Sequence, residues 1–459
     1  MIMNEKNHLD AAEVQQMLGI SAPTFYRWLK SGKLVGTRAG RRWRFSRSAI
    51  EQLLAAPSTP SPIASMLLAR LRQRTAGDSP EATVQTNEIE STLSDPAALA
   101  RLALQQALAG SARSLHLEPG AGGWQLRERI NGRLTPAPQS LSTEDADQLL
   151  TGLKSVVGLA EGQRYGRRQV VLSDRPINLR LAIFPTPQGE SATVSLLDPG
   201  KTIPTLDELY LSPELTSRLR MLARSPAGML IVNGPSGSGK TTTLYILLKE
   251  LARPHRKLMS IEDIVPVLID GVQQCEAESI GGFSAGLQMM MRSDVDVAMV
   301  SEIRDAQVAR QVLTMAASGH LVLCSTHAAD AGGALRRLIG PAELPVGLVR
   351  ETLLGILDQR LVPLSCPQCR SLQPASEAEI AALSLPEGTQ VARNPGCEAC
   401  EQRGVRGRTA IAALHEADSL APLLSGPIPD LSETLWAALS ERVIGGDVRP
   451  EDAMALMGA

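Results

Sequence analysis

The chain has little cysteine: six residues in 459, four of them in two C-x-x-C pairs. That excludes a disulfide-stapled secreted scaffold and points to metal binding in a reducing compartment. It also lacks any run of about 18 uninterrupted apolar residues, so no spanning helix is expected. Its first residues, Met1, Ile2, Met3, Asn4, Glu5 and Lys6, carry charges where a signal peptide would place its apolar segment. These features predict a cytoplasmic protein. At 43% hydrophobic and 20% charged residues the composition is that of a globular rather than a disordered chain. The length is too great for one ordinary core and implies several domains.

The formal net charge of −2 conceals an asymmetry. Eight basic residues and no acid lie between Ile20 and Ala49 (Arg27, Lys30, Lys33, Arg38, Arg41, Arg42, Arg44 and Arg47), which leaves the remainder of the chain at −10. Any nucleic-acid footprint is therefore local to the N-terminus. Within residues 8–55 the pattern predicts a helix from Leu9, a turn at Gly19, a second helix capped by Ser21, a hairpin over Val35–Phe45 and a helix from Ser46 to Leu54. Residues 56–96, dominated by Pro, Ser, Thr and acids, read as a mostly flexible linker holding a short amphipathic piece, Met66–Arg74. Residues 97–199 mix helices (Pro96–Ala109, Ser142–Leu159) with strands (Ser114–Glu118, Asn178–Phe184), a small α/β domain. From 205 to about 440 apolar strands alternate with helices, which predicts a parallel sheet covered on both faces. Pro199–Pro204 suits an interdomain linker.

The sharpest motif is Gly234, Pro235, Ser236, Gly237, Ser238, Gly239, Lys240, Thr241 and Thr242, which fits G-x-x-x-x-G-K-[ST]. Met229–Asn233 reads as the strand before it and Thr242–Leu251 as the helix after it. Glycines let successive N–H groups turn around an anion, and the helix N-terminus adds partial positive charge. Lys240 can reach the β- and γ-phosphates of a nucleotide such as ATP, and the Thr241 hydroxyl can ligate Mg²⁺. Downstream, Glu302 stands just past the strand Val297–Val300, where ligands of an open parallel sheet bind. A carboxylate there can activate the water that attacks a γ-phosphate. Ser301 stands where many such ATPases carry a Mg²⁺-directing Asp. Glu262 and Asp263 end another strand, and His320 and His327 flank a third.

These motifs, in this order and spacing, resemble the type II secretion and type IV pilus assembly ATPases over roughly residues 97–440, as do the strands Ser114–Pro119 and Asn178–Thr186. The resemblance implies a hexameric ring motor with a RecA-like P-loop ATPase domain (205–459) preceded by the small α/β domain (97–199). It implies Glu302 as catalytic glutamate, Glu262 and Asp263 as the Asp box, and His320 and His327 as the His box. Arg167 and Arg180 match the arginines directed at the phosphates, with Arg164 and Arg168 as neighbours that leave the first choice open. A platform protein of the inner membrane is the implied partner, and a peripheral place at its cytoplasmic face the implied location. Two departures stand out: the Asp box has Pro266 where the family carries a second glutamate, and Ser195 stands where it often has Arg. Slow or partner-dependent hydrolysis is the expectation.

Cys366 and Cys369, with Cys397 and Cys400, form two knuckles separated by 27 residues. Four thiolates at this spacing predict a closed, structural Zn²⁺ site within a subdomain spanning 362–408; redox-active dithiols are the alternative. Cys275 and Cys324 read as buried hydrophobes. The N-terminal module resembles the winged helix-turn-helix domains of excisionases and related regulators. In that resemblance Thr24, Arg27 and Lys30 lie near the DNA-reading face, and Arg38, Arg41, Arg42 and Arg44 meet phosphates. A DNA contact through residues 8–55 and a protein-docking role are both open, and with them a second function, a nucleotide-responsive DNA-binding regulator.

Overall fold

A computed structural model describes residues 8–18, 25–26, 28–29, 34–39, 42–50, 62–75, 95–120, 122–130, 132–136, 140–200 and 202–458. The chain divides into two units. One holds the N-terminal stretch through Ala109 together with Leu141–Val156; the other holds Gly110–Ser140 and Val157–Ala459.

In the first unit, Asp10 caps the helix Ala11–Leu18: its Oδ1 accepts from Ala12 N and Glu13 N, both at 2.9 Å, while Glu13 Oε2 accepts from Asp10 N at 2.8 Å. β1 (His8–Leu9), which the sequence pattern does not reveal, pairs with β3 (Arg42–Ser46), and β3 pairs with β2 (Thr37–Ala39) as the expected hairpin. Leu9, Val14, Phe25, Leu34, Phe45 and Ile50 form the core of this module, with Phe25 and Phe45 edge to face at 5.5 Å. Thr24, Arg27, Lys30 and Arg41 lie outside the described residues, as does the side chain of Arg42. Arg38 is exposed, its guanidinium 6.0 Å from the Trp43 ring centroid.

The segment read as linker contains more order than its composition suggests. A helix runs over Pro62–Thr75, with Ile63, Leu67 and Leu71 buried, and packs on the helix Pro96–Ala109. The amphipathic piece read over Met66–Arg74 lies inside this helix, which starts four residues earlier, at Pro62. Residues 76–94 lie outside the described ones. The helices Pro96–Ala109 and Thr143–Val157, expected with the small α/β domain, cluster with this unit.

In the second unit a six-stranded antiparallel sheet is built from β4 (Ser114–Gly120), β5 (Gly123–Ile130), β6 (Arg133–Pro136), β7 (Tyr165–Leu172), β8 (Arg175–Thr186) and β9 (Gly189–Leu197), in the order β6-β5-β4-β9-β8-β7. The larger sheet has β10 (Gly228–Asn233), β11 (Leu258–Glu262), β12 (Val272–Glu276), β13 (Val297–Val300), β14 (Leu321–Thr326) and β15 (Leu353–Ser365). Between β15 and the last strand, β16 (Ser371–Pro374) and β17 (Gln390–Arg393) form a separate hairpin; β18 (Val405–Glu416) then closes the large sheet, in the order β12-β11-β13-β14-β10-β15-β18. Six strands are parallel, as expected, but β18 runs antiparallel to β15 along nearly its whole length. The sheet is therefore mixed.

Alternate residues of these strands enter two cores. Met229, Ile231, Ala298, Val300, Val322 and Cys324 meet the helices Phe283–Met291, Ala306–Ala317 and Ala331–Ile339 on one face. Leu230, Val232, Val297, Met299, Leu321 and Leu323 meet the helix Lys240–Leu251 and its neighbour Pro213–Ala223 on the other. Burial on both faces explains why these strands are continuous apolar runs. Cys324 is fully buried as expected, whereas Cys275 is only half-buried.

Candidate nucleotide site

β10 ends at Asn233, the loop Gly234–Gly239 follows, and the helix begins at Lys240. Gly234 has φ +149°, and a Cβ there would sit 2.3 Å from the Gln359 carbonyl oxygen; Gly239 has φ +93°, and a Cβ would sit 2.7 Å from Gln359 Nε2. Both glycines are required by conformation and by the close approach of β15. Gln359, fully enclosed, donates to Ser238 O at 2.8 Å and accepts from Thr243 Oγ1 at 2.7 Å, so β15 braces the loop.

A cavity of about 350 Å³ lies over this loop. Its floor is Ser236 through Thr242. One side carries Glu262, Asp263, Ser301, Glu302, Ser325 and His327; the other carries Arg113, Arg180, Ser195 and Leu197 of the six-stranded sheet and the residue preceding it. Gly234 and Pro235 begin the loop and do not line the cavity.

The polar groups on the large-sheet side are tied to one another. Lys240 Nζ donates to Gly234 O at 2.7 Å and Pro235 O at 2.9 Å, and lies 3.1 Å from His327 Nδ1. His327 Nε2 is 3.1 Å from Glu302 Oε1. Arg304 joins Glu302, at 3.3 Å, to Asp263. Burial pushes the Lys240 ammonium down to about 8, with Glu302 opposing and Arg360 adding to the shift. Glu262 is 1% exposed and accepts from Tyr245 Oη, from Ser260 Oγ at 2.6 Å and from Gln274 Nε2 at 3.2 Å. Burial raises its pKa against these three bonds.

Of the residues singled out from sequence, Lys240, Thr241, Thr242, Glu262, Asp263, Glu302, His327 and Arg180 are brought to this one cavity. Two are not. His320 sits at the opposite end of β14, with Nδ1 on Met315 O at 3.0 Å. Arg167, expected to face the phosphates, is turned to Glu276, at 2.5 Å, and Glu278, at 3.3 Å. Arg168 and Arg164 do not line the cavity either. Arg113 does, and sequence reasoning missed it: it precedes β4 in a stretch of small polar residues with no period to mark it. Asn233, Asp358 and Gln359 were also missed as site supports, although polar residues within the apolar run Ile356–Leu361 were a readable signal.

The four cysteine sulfurs lie within 4.8 Å of one another. Cys366–Cys397, Cys369–Cys400 and Cys397–Cys400 are 3.8, 3.9 and 3.7 Å apart. A tetrahedron of thiolates at Zn–S distances of about 2.3 Å has edges of about 3.8 Å. Backbone N–H groups of Cys397 and Gly404 each donate to Cys400 Sγ at 3.2 Å. The donor set fits zinc.

Strand, glycine loop, helix and a carboxylate just past the end of β13, with β14 between it and β10, define a P-loop nucleotide-binding α/β protein. A family model described as "Type II/IV secretion system protein" matches residues 94–423, and one described as "Helix-turn-helix domain" matches residues 9–58. The chain is 32% identical over 378 residues to the putative type II secretion system protein E of Escherichia coli, covering 78% of this chain and 76% of that protein. It is 34% identical over 316 residues to type II secretion system protein E of Pseudomonas aeruginosa, with 67% and 62% covered. It is 31% identical over 325 residues to the type IV pilus assembly ATPase PilB of Thermus thermophilus, with 69% of this chain but 36% of that protein covered. The matched region thus spans from about a third to about three quarters of these relatives' length. Among solved structures, the Legionella pneumophila ATPase DotB has a TM-score of 0.56 at 18% identity, covering 78% of this chain and 94% of its own. The pilus retraction motor PilT with bound ADP has a TM-score of 0.52 at 21% identity, covering 77% and 95%. The chain belongs to the type II/IV secretion system protein family.

Proposed function

We propose that this chain is an ATP-hydrolysing motor subunit, RecA-like in its second unit, that powers type II secretion or type IV pilus-like assembly. The observation that carries the reading is the linked set Lys240–His327–Glu302 at the mouth of the phosphate loop. Lys240, now satisfied by two loop carbonyls, is placed to exchange them for β- and γ-phosphate oxygens. Glu302 is placed to take the proton of the attacking water, and His327, bridging Glu302 and Lys240, to report whether a γ-phosphate is present. Arg180 and Arg113 approach from the opposite wall, where cationic groups stabilise charge on the transferring phosphoryl. The Ser238 hydroxyl, buried with no hydrogen-bond partner among the described residues, is a further donor that a phosphate oxygen satisfies. Thr241, Ser301, Asp263 and Glu302 present only oxygen donors, which suits Mg²⁺; Thr241 and Ser301 would hold it. The metal would supply neutralisation of phosphate charge there.

Cys366, Cys369, Cys397 and Cys400 hold a structural Zn²⁺, which cross-links the stretch between β15 and β18. The working form is a ring of copies, a hexamer by family resemblance, peripheral at the cytoplasmic face of the inner membrane. No helix among the described residues is long and apolar enough to cross a membrane; by family resemblance, the membrane partner is a platform protein. The regulator reading rests on the N-terminal module alone, and the cavity favours the motor. The test is Mg-ATP hydrolysis by zinc-loaded protein beside Lys240→Ala and Glu302→Gln. Turnover lost in both variants supports the reading; wild-type hydrolysis no faster than Glu302→Gln, with or without a membrane partner, sinks it.

A further inference from the structure

Three polar side chains sit in the interior of the large sheet, behind the cavity rather than in it. Asn233 ends β10, and Asp358 lies opposite it in the β10–β15 register; both are 0% exposed. Arg360, two residues further along β15, is 7% exposed. Groups so placed are costly to bury and persist only when fully bonded. Their bonds converge on one short stretch. Asn233 Nδ2 donates to Asp358 Oδ1, and Asn233 Oδ1 accepts from Ala328 N at 2.9 Å. Asp358 Oδ2 accepts from Ala331 N at 2.6 Å. Arg360 donates to Ala329 O and, at 2.9 Å, to Gln359 O. The backbone at Ala328, Ala329 and Ala331 is thereby held, immediately after His327. At the other end, Thr326 O accepts from Gly234 N at 3.3 Å, and Arg337 donates to His327 O at 3.0 Å.

We propose that Asn233, Asp358 and Arg360 are positioning residues that fix His327 between Lys240 and Glu302. The inference rests on the reading of the cavity as an ATP-hydrolysing site. None of the three lines that cavity. Asn233 and Asp358 reach the site through the backbone just past His327; Arg360 also acts on Lys240 through its charge, which Arg360→Lys keeps. Asp358→Asn keeps the volume but puts an amide where both neighbours, Asn233 Nδ2 and Ala331 N, already donate, so one donor loses its acceptor.

The test measures turnover, ADP affinity and thermal unfolding of the full zinc-loaded chain carrying Asp358→Asn, His327→Ala, both together, and Lys240→Ala. The expected result is about a tenfold loss of kcat in Asp358→Asn with ADP affinity changed less than about twofold, and no further loss when it is added to His327→Ala. Multiplying losses in the double variant, or equal falls in affinity and kcat, would overturn the inference. Where Asp358→Asn does not fold, Arg360→Lys, which keeps the charge and drops the bond to Ala329, takes its place in the same cycle. Full turnover in His327→Ala, with Lys240→Ala inactive, removes the object of the cradle while leaving the ATPase reading standing. Full turnover in Lys240→Ala removes that reading itself.

Discussion

The two walls of the cavity are built on opposite plans. On the large-sheet side every charged group already has partners: Lys240 has two carbonyls and His327, Glu302 has His327 and Arg304, and Glu262 has three donors. On the six-stranded side Arg113 has no hydrogen bond or ion pair from its guanidinium among the described residues, and Arg180 has only the Tyr165 ring, 5.1 Å away. Apart from Lys240, which exchanges its two loop carbonyls for phosphate oxygens, the groups of this wall are held in place before the phosphates arrive, and electrostatic stabilisation depends on such preorganisation. A wall of exposed, unpaired cations instead holds its charge in reserve for the ligand. The difference assigns binding to the first wall and adjustable charge to the second.

Substitutions should separate those roles. The largest effect is expected from Lys240→Ala, which removes the cation from the fixed wall: loss of measurable turnover and at least about a hundredfold weaker nucleotide binding by fluorescence titration. A variant that binds normally would erase the distinction between the walls. The same lysine gives a pH dependence. Its pKa is lowered to about 8, so it is cationic below that value and neutral above it. Since the anion binds the cation, affinity should be full near pH 7 and fall as pH rises through about 8, whereas Lys240→Arg stays flat over that range. An affinity that rises with pH would contradict the assignment.

Arg180→Ala and Arg113→Ala should each lower kcat by about tenfold or more while ADP affinity stays within about threefold, a split read directly from kinetics and titration. Equal loss in both quantities would mean that this wall binds rather than adjusts. Arg167→Ala should have the smallest effect. Its pairs with Glu276 and Glu278 are half exposed, and such pairs contribute about 0.2–1 kcal/mol. A large fall in turnover there would show that Arg167 leaves its carboxylates and reaches the phosphates.

Much of this arrangement was legible in the chain because short motifs carry it. The strand and helix around Gly234–Thr241, the strand Val297–Val300 before Glu302 and the paired knuckles at Cys366 and Cys397 were each fixed by local spacing. What escaped depends on contacts distant in sequence. Arg113 reaches the cavity only because β4 lies beside β9, and the Arg167 ion pairs join β7 to the end of β12 across more than a hundred residues. Pairing of that kind leaves no periodic trace. β18 was misjudged for a different reason: an apolar strand buried on both faces reads the same whichever way it runs. Of the helix Pro62–Thr75 the sequence showed the amphipathic part, Met66–Arg74; its packing on the helix Pro96–Ala109 was not readable.

The junction of β15 and β18 bears on how such a chain can be altered. Ser365 pairs with Val405, so the whole tetracysteine stretch leaves and re-enters the sheet at one point. In topology it is a detachable cassette: joining the two strands by a tight turn would leave every other ladder in place. In packing it is not, because Leu383, Leu385 and Val391 share a core with Leu435, Leu439 and Val443 of the C-terminal helices. Excision would strip those three of cover and leave an apolar scar, so a shortened chain would need polar replacements there before it could stay in solution.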